Sequence, residues 1–155
     1  SFNVTGARLS FLVGRPDVIA ALRKLRSQID FGMFLPLQKA AVAALEGPLD
    51  SVKEQCQMYE ERRDALCQGL RDIGWELPNG KGTMFVWAKI PGGRTDSMAF
   101  CMELMEKTGL IGVPGSSFGS LGEGFMRFAL VEPVPVMQEI VKAIAESGLL
   151  KRKGE

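Results

Sequence analysis

The stretch Phe-Met-Arg-Phe-Ala-Leu-Val at residues 125–131 places one arginine, Arg127, inside an apolar run. Aromatic and branched apolar residues in this arrangement predict a β-strand that packs on a core. A guanidinium is always charged, and placing it in an apolar strand is costly unless an anion compensates the charge. That anion could be a ligand, but a solvated strand face or a structural carboxylate would also satisfy Arg127. The run therefore predicts a strand and leaves the role of its arginine open.

Three other stretches predict strands. Residues 83–90, with the sequence Thr-Met-Phe-Val-Trp-Ala-Lys-Ile, combine aromatic and β-branched side chains. Phe85 and Trp87 alternate along this strand, and we interpret them as core or as a half-covered sheet face. Residues 110–113 predict a short strand, and the apolar run at residues 8–14 predicts a buried one.

Apolar residues recur at helical spacing in five further segments. The pattern predicts an amphipathic helix after Pro16, a buried alanine-rich helix from Leu37 to Leu45, and a helix of about 36 Å that begins at Asp50. Two more helices are predicted from Asp96 to Gly109 and from Pro133 to Leu150. The length of the helix from Asp50 indicates that it connects two domains. The order of elements predicts an α/β fold in which a small sheet is covered by helices.

The charge balance limits the partners that the chain can have. The 155 residues include 19 Lys and Arg against 18 Asp and Glu, a formal net charge of +1. A nucleic acid or a membrane surface usually selects a clear cationic excess, so we expect neither as a partner. The composition is typical of a soluble globular protein that builds a core without metal or disulfides.

Histidine is absent from the sequence, and the cysteines are few. The lack of histidine excludes Ser-His-Asp and Cys-His catalysis and histidine-based zinc sites within this chain, and we expect no metal. Cys56, Cys67 and Cys101 are too widely spaced for a CxxC pair, so we interpret them as reduced residues that pack like small apolar side chains. No apolar run is long enough for a membrane span and none resembles a signal peptide, so we predict a cytoplasmic protein.

A second arginine, Arg8, lies between Gly6 and the apolar run and carries the same preference for a phosphate or a carboxylate. The serines of the glycine-framed loop at residues 114–119 indicate a turn more than a phosphate cradle. The lysines in the helical segments fall on polar helix faces, where they serve as solvated charge; they are Lys24, Lys39, Lys53, Lys107 and Lys142. The residues themselves therefore predict anion binding without a catalytic group.

The opening of the chain and the motifs that follow it resemble one enzyme family. The motifs are Ser-Phe-Asn-Val-Thr-Gly-Ala-Arg at residues 1–8, Ser-Gln-Ile-Asp-Phe-Gly at 27–32, the Tyr59 to Asp64 segment, Gly-Thr-Met-Phe-Val-Trp at 82–87, Val-Pro-Gly-Ser-Ser-Phe-Gly at 113–119 and Gly-Phe-Met-Arg-Phe-Ala at 124–129. In this order they resemble class I/II aminotransferases of pyridoxal phosphate fold type I. Their sequences are similar to those of the bacterial aspartate and LL-diaminopimelate aminotransferase branch.

The resemblance implies a carboxy-terminal part of such an enzyme. Residues 1–45 would be the end of the large cofactor-binding domain and the start of the linking helices, and residues 46–155 the small C-terminal domain. Arg8 would bind the phosphate of pyridoxal phosphate, and Arg127 would bind the α-carboxylate of the substrate in the same cleft. The lysine that forms the Schiff base would lie just before Ser1, so this chain would contribute no catalytic residue and would be inactive alone, with the cofactor not retained.

The parent enzyme would take part in amino acid metabolism by transferring an amino group from an amino acid to a 2-oxo acid. The resemblance also implies a homodimer, and we expect a partner chain or a swapped copy to cover the apolar surface of the early segment. Two alternatives stay open. The chain could be a non-enzymatic α/β interaction module whose arginines are structural, or part of another fold type I enzyme, such as a carbon–sulfur lyase or an acyl-transfer synthase.

Overall fold

The computed structural model describes residues 2–30, 32–78 and 80–150. The chain divides into two units, residues 1–55 and residues 56–155, and each is described by itself. No helix in the described ranges combines the length and the apolar character that crossing a bilayer requires.

Helices form the first unit. A 3₁₀ turn at Thr5–Ala7 is followed by α1 (Pro16–Ile29), α2 (Leu35–Glu46) and the beginning of α3 (Asp50–Asp72). Proline in the first turn of α1 costs no hydrogen bond, and Asp17 beside it places negative charge at the positive end of the helix. The predicted helices after Pro16 and from Asp50 are confirmed.

Two expectations for this unit are wrong. Residues 8–14 form no strand, and Phe11 and Val13 are 82% and 79% exposed. A strand needs a neighbour to pair its backbone groups, and the described residues of this unit form no second strand. The alanine-rich helix is also not buried in this chain: α2 has no buried residue, and its Val42 is half exposed.

The second unit contains the small sheet. Its strands are β1 (Phe85–Lys89), β2 (Val113–Pro114) and β3 (Phe125–Ala129), in the order β1-β3-β2 with antiparallel pairing throughout. Because β3 is central, it is paired on both sides. The helices are the remainder of α3, then α4 (Ser97–Thr108) and α5 (Val134–Glu146). The α/β class with a small, helix-covered sheet is confirmed.

The observed strands differ from the predicted ones at their ends. The strand predicted over residues 83–90 begins only at Phe85 because Thr83 has a φ of +72°, which lies outside the strand region. The short strand lies at Val113–Pro114 and not over residues 110–113.

The core of this unit lies on one face of the sheet. Side chains alternate along β1 and β3, and four of them point to this face and are buried: Val86, Ala88, Met126 and Phe128. Helix residues that include Leu66, Leu70, Phe100, Leu104, Met137 and Ile144 complete the cluster. Trp75 fills its centre, and its indole N–H donates to the carbonyl oxygen of Lys89 at 2.8 Å. The same alternation places the other strand residues on the opposite face.

Helix α4 carries well-defined signals at both ends. The Asp96 side chain accepts a hydrogen bond from the amide of Ala99 at 2.9 Å, and Gly109 ends the helix with a φ of +72°. An N-cap side chain satisfies an amide that has no partner within the helix, while glycine takes the left-handed conformation without a Cβ clash. These local signals explain why the sequence predicts this helix correctly.

Replacing Asp96 with alanine should lower the unfolding free energy of the chain by about 1 kcal/mol, because the Ala99 amide loses its acceptor. Urea unfolding monitored by tryptophan fluorescence, to which the buried Trp75 contributes, measures the change. Asp96→Asn is the matched control, since asparagine caps about as well as aspartate. Equal loss of stability in both variants would contradict the capping role.

Candidate functional site

Arg127 lies at the middle of β3, with Trp87 of β1 opposite it on one side and Val113 of β2 on the other. Its strand neighbours Met126 and Phe128 point into the core, so the side chain of Arg127 lies on the opposite face of the sheet. There it is half-buried. The strand predicted over residues 125–131 is confirmed, although it ends at Ala129. Because β3 is the central strand, pairing with β1 on one side and β2 on the other holds the backbone of Arg127 in place.

Two aromatic rings surround the guanidinium of Arg127. The carbon of the guanidinium lies 4.1 Å from the ring centroid of Phe85 and 4.6 Å from that of Phe118. Phe85 comes from β1, whereas Phe118 comes from the 3₁₀ turn Gly115–Phe118 that follows β2. A cation over aromatic rings is stabilised by their quadrupoles and is partly removed from water. The two rings therefore hold the charge in place and lower the local dielectric.

The guanidinium of Arg127 has no acidic partner within the described part of the chain. Its Nε atom is buried and makes no hydrogen bond there. Two other half-buried arginines have oxygen partners: Arg62 donates to the carbonyl oxygens of Leu130 and Val131, and Arg94, whose Nε is likewise buried without a hydrogen bond, forms an ion pair with Glu103 at 2.8 Å. A half-buried cation with no protein anion is suited to binding a carboxylate or a phosphate from outside.

Trp87 extends this aromatic surface. Its ring meets Phe118 edge-on at 5.4 Å and stacks on Phe125 at 5.8 Å with an interplanar angle of 18°. Trp87 is 38% exposed, so the surface it forms beside Arg127 is accessible. The site therefore combines one cation with an apolar wall, the composition expected for a small organic anion.

The start of α4 meets the loop that carries Phe118. The hydroxyl oxygens of Ser97 and Ser116 lie 3.0 Å apart within a shared hydrogen bond, and the amide of Ser116 donates to the Ser97 hydroxyl at 3.3 Å. The amides of Ser97 and Gly124 donate to Glu123 at 2.6 Å and 3.2 Å. Hydrogen bonding from Ser97 holds the pKa of Glu123 below its ordinary value of 4.5.

Arg8, the second arginine predicted to bind an anion, lies in the first unit directly after the 3₁₀ turn Thr5–Ala7. It is exposed and has a φ of +50°, a left-handed conformation that is uncommon outside glycine and asparagine. The described residues give its guanidinium no hydrogen bond or ion pair. Its donors are therefore accessible, and their chemistry fits a phosphate ester.

The cysteines and a surface cavity of about 490 Å³ lie outside this site. Cys67 and Cys101 are buried, and burial raises the pKa of both thiols, so they pack as neutral apolar groups as predicted. Cys56 is exposed, which corrects the expectation that all three are packed. The cavity lies beside α3, where Arg63 is paired with Glu60 and Asp64.

The sequence pointed to Arg127 but not to its surroundings. The sequence leaves Phe85 and Trp87 as core or as a half-covered sheet face, of which the structure shows the second, and it gives Phe118 only a place in a loop. Phe85 and Trp87 are two residues apart in one strand, and this spacing predicts that their side chains lie on the same face of the sheet. The register that brings Phe85 beside Arg127, and the turn that brings Phe118 there, depend on pairing between distant segments and are not visible in local sequence.

Comparison with known proteins identifies related sequences. The family model of aminotransferases class I and II matches residues 1–144. An LL-diaminopimelate aminotransferase of Halothermothrix orenii is 40% identical over 148 residues, which cover 96% of this chain and 38% of the relative. The glutamate-pyruvate aminotransferase AlaC of Escherichia coli is 38% identical over 93% of this chain and 35% of its own length. The chain thus spans less than two fifths of these relatives.

Solved structures agree with this grouping. A probable N-succinyldiaminopimelate aminotransferase from Thermus thermophilus superposes with a TM-score of 0.85 at 32% identity, over 94% of this chain and 39% of that one. An aminotransferase from Staphylococcus aureus gives 0.86 at 31% identity, over 96% of this chain and 40% of that one.

The carboxylate of Glu123 should make the stability of the chain depend on pH. Because its pKa is lowered in the folded state, its contribution is complete above pH 4.5 and is lost as the pH falls through the lowered value. The stability difference between the wild type and Glu123→Gln, measured by urea unfolding, should therefore be largest at pH 7 and shrink toward pH 3.

Glu139→Gln, a change of an exposed carboxylate on α5, is the control and should show a smaller difference at neutral pH. A difference for Glu123→Gln that is equal at pH 7 and at pH 3 would show that the carboxylate charge does not matter.

Proposed function

The chain belongs to the aminotransferase class I and II family, and we propose that it is the carboxy-terminal part of a pyridoxal phosphate-dependent aminotransferase in which Arg127 binds the α-carboxylate of the substrate. The observation that carries this proposal is the guanidinium of Arg127, which lies over two aromatic rings with a buried Nε and no protein anion in the described ranges.

A carboxylate is the ligand that this arrangement suits best. The planar guanidinium offers parallel N–H donors that match the two oxygens of a carboxylate, and such bidentate pairs are strong and directional. The rings of Phe85 and Phe118 reduce access of water, which strengthens the charge interaction. Arg127 would therefore orient the ligand as well as bind it, and orientation of this kind contributes to the rate by holding the reacting atoms in place.

An amino acid and a 2-oxo acid both carry an α-carboxylate, so one arginine can serve both partners of an amino-group exchange. The relatives named above are described by different amino donors and acceptors, and this shared group is what their substrates have in common. We therefore infer an amino acid and a 2-oxo acid as the substrate class of the complete protein.

Arg8 is the residue of this chain that would hold the cofactor. Its exposed guanidinium, which has no partner among the described residues, has the donor chemistry that a phosphate ester needs. Pyridoxal phosphate, when bound, supplies the electron sink for the bond changes at the α-carbon of the substrate. Arg8 would anchor the phosphate through charged hydrogen bonds, and the chain would supply no group that moves a proton.

The domain roles form part of the same proposal. Residues 1–45 would belong to the end of the cofactor domain with the start of the linking helices, and residues 46–155 to the small C-terminal domain. Apolar side chains of the early segment, such as Phe11 and Val13, are exposed in this chain and would be covered in a homodimer of the complete protein. The cytoplasmic location and the lack of nucleic-acid and membrane partners stay predictions.

Replacing Arg127 with alanine in the complete protein should raise the KM for amino acid substrates about 10-fold to 100-fold, because a charged hydrogen bond to the α-carboxylate is lost. The KM of Arg127→Lys should lie between those of the wild type and Arg127→Ala, because lysine keeps the charge but lacks the planar guanidinium that donates two parallel hydrogen bonds. Steady-state kinetics with pyruvate as acceptor measure the effect. Lys142→Ala, a change of an exposed cation on α5, is the control, and an unchanged KM in Arg127→Ala would remove the assigned role.

The 155-residue chain alone should show no amino-group transfer. The lysines described within its helices are Lys24, Lys39, Lys53, Lys107 and Lys142, and they lie at exposed positions. Incubation with pyridoxal phosphate, borohydride reduction and mass spectrometry should give no stoichiometric adduct on one lysine. A single stoichiometric adduct together with turnover would show that the chain carries its own catalytic lysine.

A further inference from the structure

We propose that Ser97, Ser116 and Glu123 are positioning residues that hold Phe118 over Arg127 and thereby set the affinity of the carboxylate site. The inference rests on the proposed function for the identity of the ligand. Its positioning part rests only on contacts within residues 56–155.

Ser97 is the buried centre of this arrangement. It is the first residue of α4 and is fully buried, although its side chain is polar. A buried hydroxyl is costly unless it is hydrogen-bonded, and here it accepts from the amide of Ser116 and shares a hydrogen bond with the Ser116 hydroxyl. The Ser97 hydroxyl therefore fixes the turn Gly115–Phe118 to the start of α4.

Glu123 fixes the other end of the same loop. Its carboxylate accepts a hydrogen bond from the amide of Ser97 at 2.6 Å, and Glu123 directly follows the 3₁₀ turn Ser120–Gly122, so this end of the loop is also tied to the start of α4. A carboxylate at this place is favourable because the amides at a helix N-terminus lack partners within the helix.

The loop between these two ties is closely packed. The backbones of Gly115 and Gly122 approach each other so closely that a Cβ on either would collide with the carbonyl oxygen of the other. Only glycine at both positions allows this contact. The loop segment that contains Phe118 is thus fixed at its two ends by hydrogen bonds and close backbone packing.

Few buried contacts hold the side chain of Phe118 in place. Its side chain is 51% exposed, and its described ring contacts are the edge of Trp87 and the guanidinium of Arg127. Ordering a half-exposed aromatic ring costs conformational entropy, so a loose loop would let the ring leave the cation. The position of Phe118 therefore depends on the ties at Ser97, Ser116 and Glu123.

The test uses the 155-residue chain and nuclear magnetic resonance. The guanidinium carbon of Arg127 lies 4.6 Å from the Phe118 ring centroid and 4.1 Å from that of Phe85, so the Nε–H resonance carries ring-current shifts from both rings, and the loss of the Phe118 part reports that this ring has moved away. The variants are Ser97→Ala and Ser116→Ala, and the second leaves the buried Ser97 unchanged. Ser117→Ala is the matched control, because Ser117 is an exposed neighbour. The indole N–H resonance of Trp75 reports that the core is intact.

With the Trp75 resonance unchanged, both variants should move the Arg127 resonance toward its random-coil position and weaken pyruvate binding about fivefold, the effect of losing one hydrogen bond. Ser117→Ala should change neither quantity. An Arg127 resonance that stays at the wild-type position in both variants would overturn the proposal.

The design separates this inference from the proposed function. If the variants shift the Arg127 resonance but the wild-type chain binds pyruvate no better than an Arg127→Ala chain, the positioning role is supported and the proposed ligand is contradicted. If the wild type binds pyruvate and the serine variants bind it equally well, the carboxylate site stands and the positioning role is wrong.

Discussion

The outer face of the sheet in the second unit is arranged around the half-buried charge of Arg127, which no carboxylate of the described residues balances. Arg127 sits on the central strand of a three-stranded sheet, its Nε is buried, and the described residues provide it with aromatic rings instead of a carboxylate. Cation–aromatic contacts compensate part of the desolvation of a guanidinium but do not replace an anion. An external anion, the carboxylate of the proposed function, would balance this charge, and the aromatic side chains around it lie on the sheet face opposite the core.

The remaining elements support that site from behind. The core of α3, α4, α5 and Trp75 packs on the other face of the sheet, so β3 lies between a close-packed layer and the aromatic surface around Arg127. The start of α4 contacts both the core and the loop of Phe118. Ser97, the first residue of this helix, is buried, and its hydroxyl is hydrogen-bonded to Ser116 of that loop. The first unit differs in kind: it exposes apolar side chains such as Phe11, in the segment before α1, which would need a cover that the described residues of that unit do not supply.

Local signals predicted most of the secondary structure. The helices with clear caps and periodic apolar residues, such as α4 between Asp96 and Gly109, were predicted close to their observed ends. The strand expected at residues 8–14 was wrong because apolar character does not provide a pairing partner. Arg127 could be singled out because a charge in an apolar strand is unusual. The contacts of Phe85 and Phe118 could not, since they arise from register and from a loop held by residues far apart in sequence. The roles of Arg8 and Arg127 stay predictions.

The most direct measurement is a crystal structure of the complete protein with pyridoxal phosphate and a bound 2-oxo acid. The account predicts both oxygens of the α-carboxylate at about 2.7–2.9 Å from guanidinium nitrogens of Arg127, with the Phe118 ring still over the cation. A structure in which Arg127 instead pairs with an aspartate or glutamate of the protein, and the carboxylate is bound elsewhere, would contradict it.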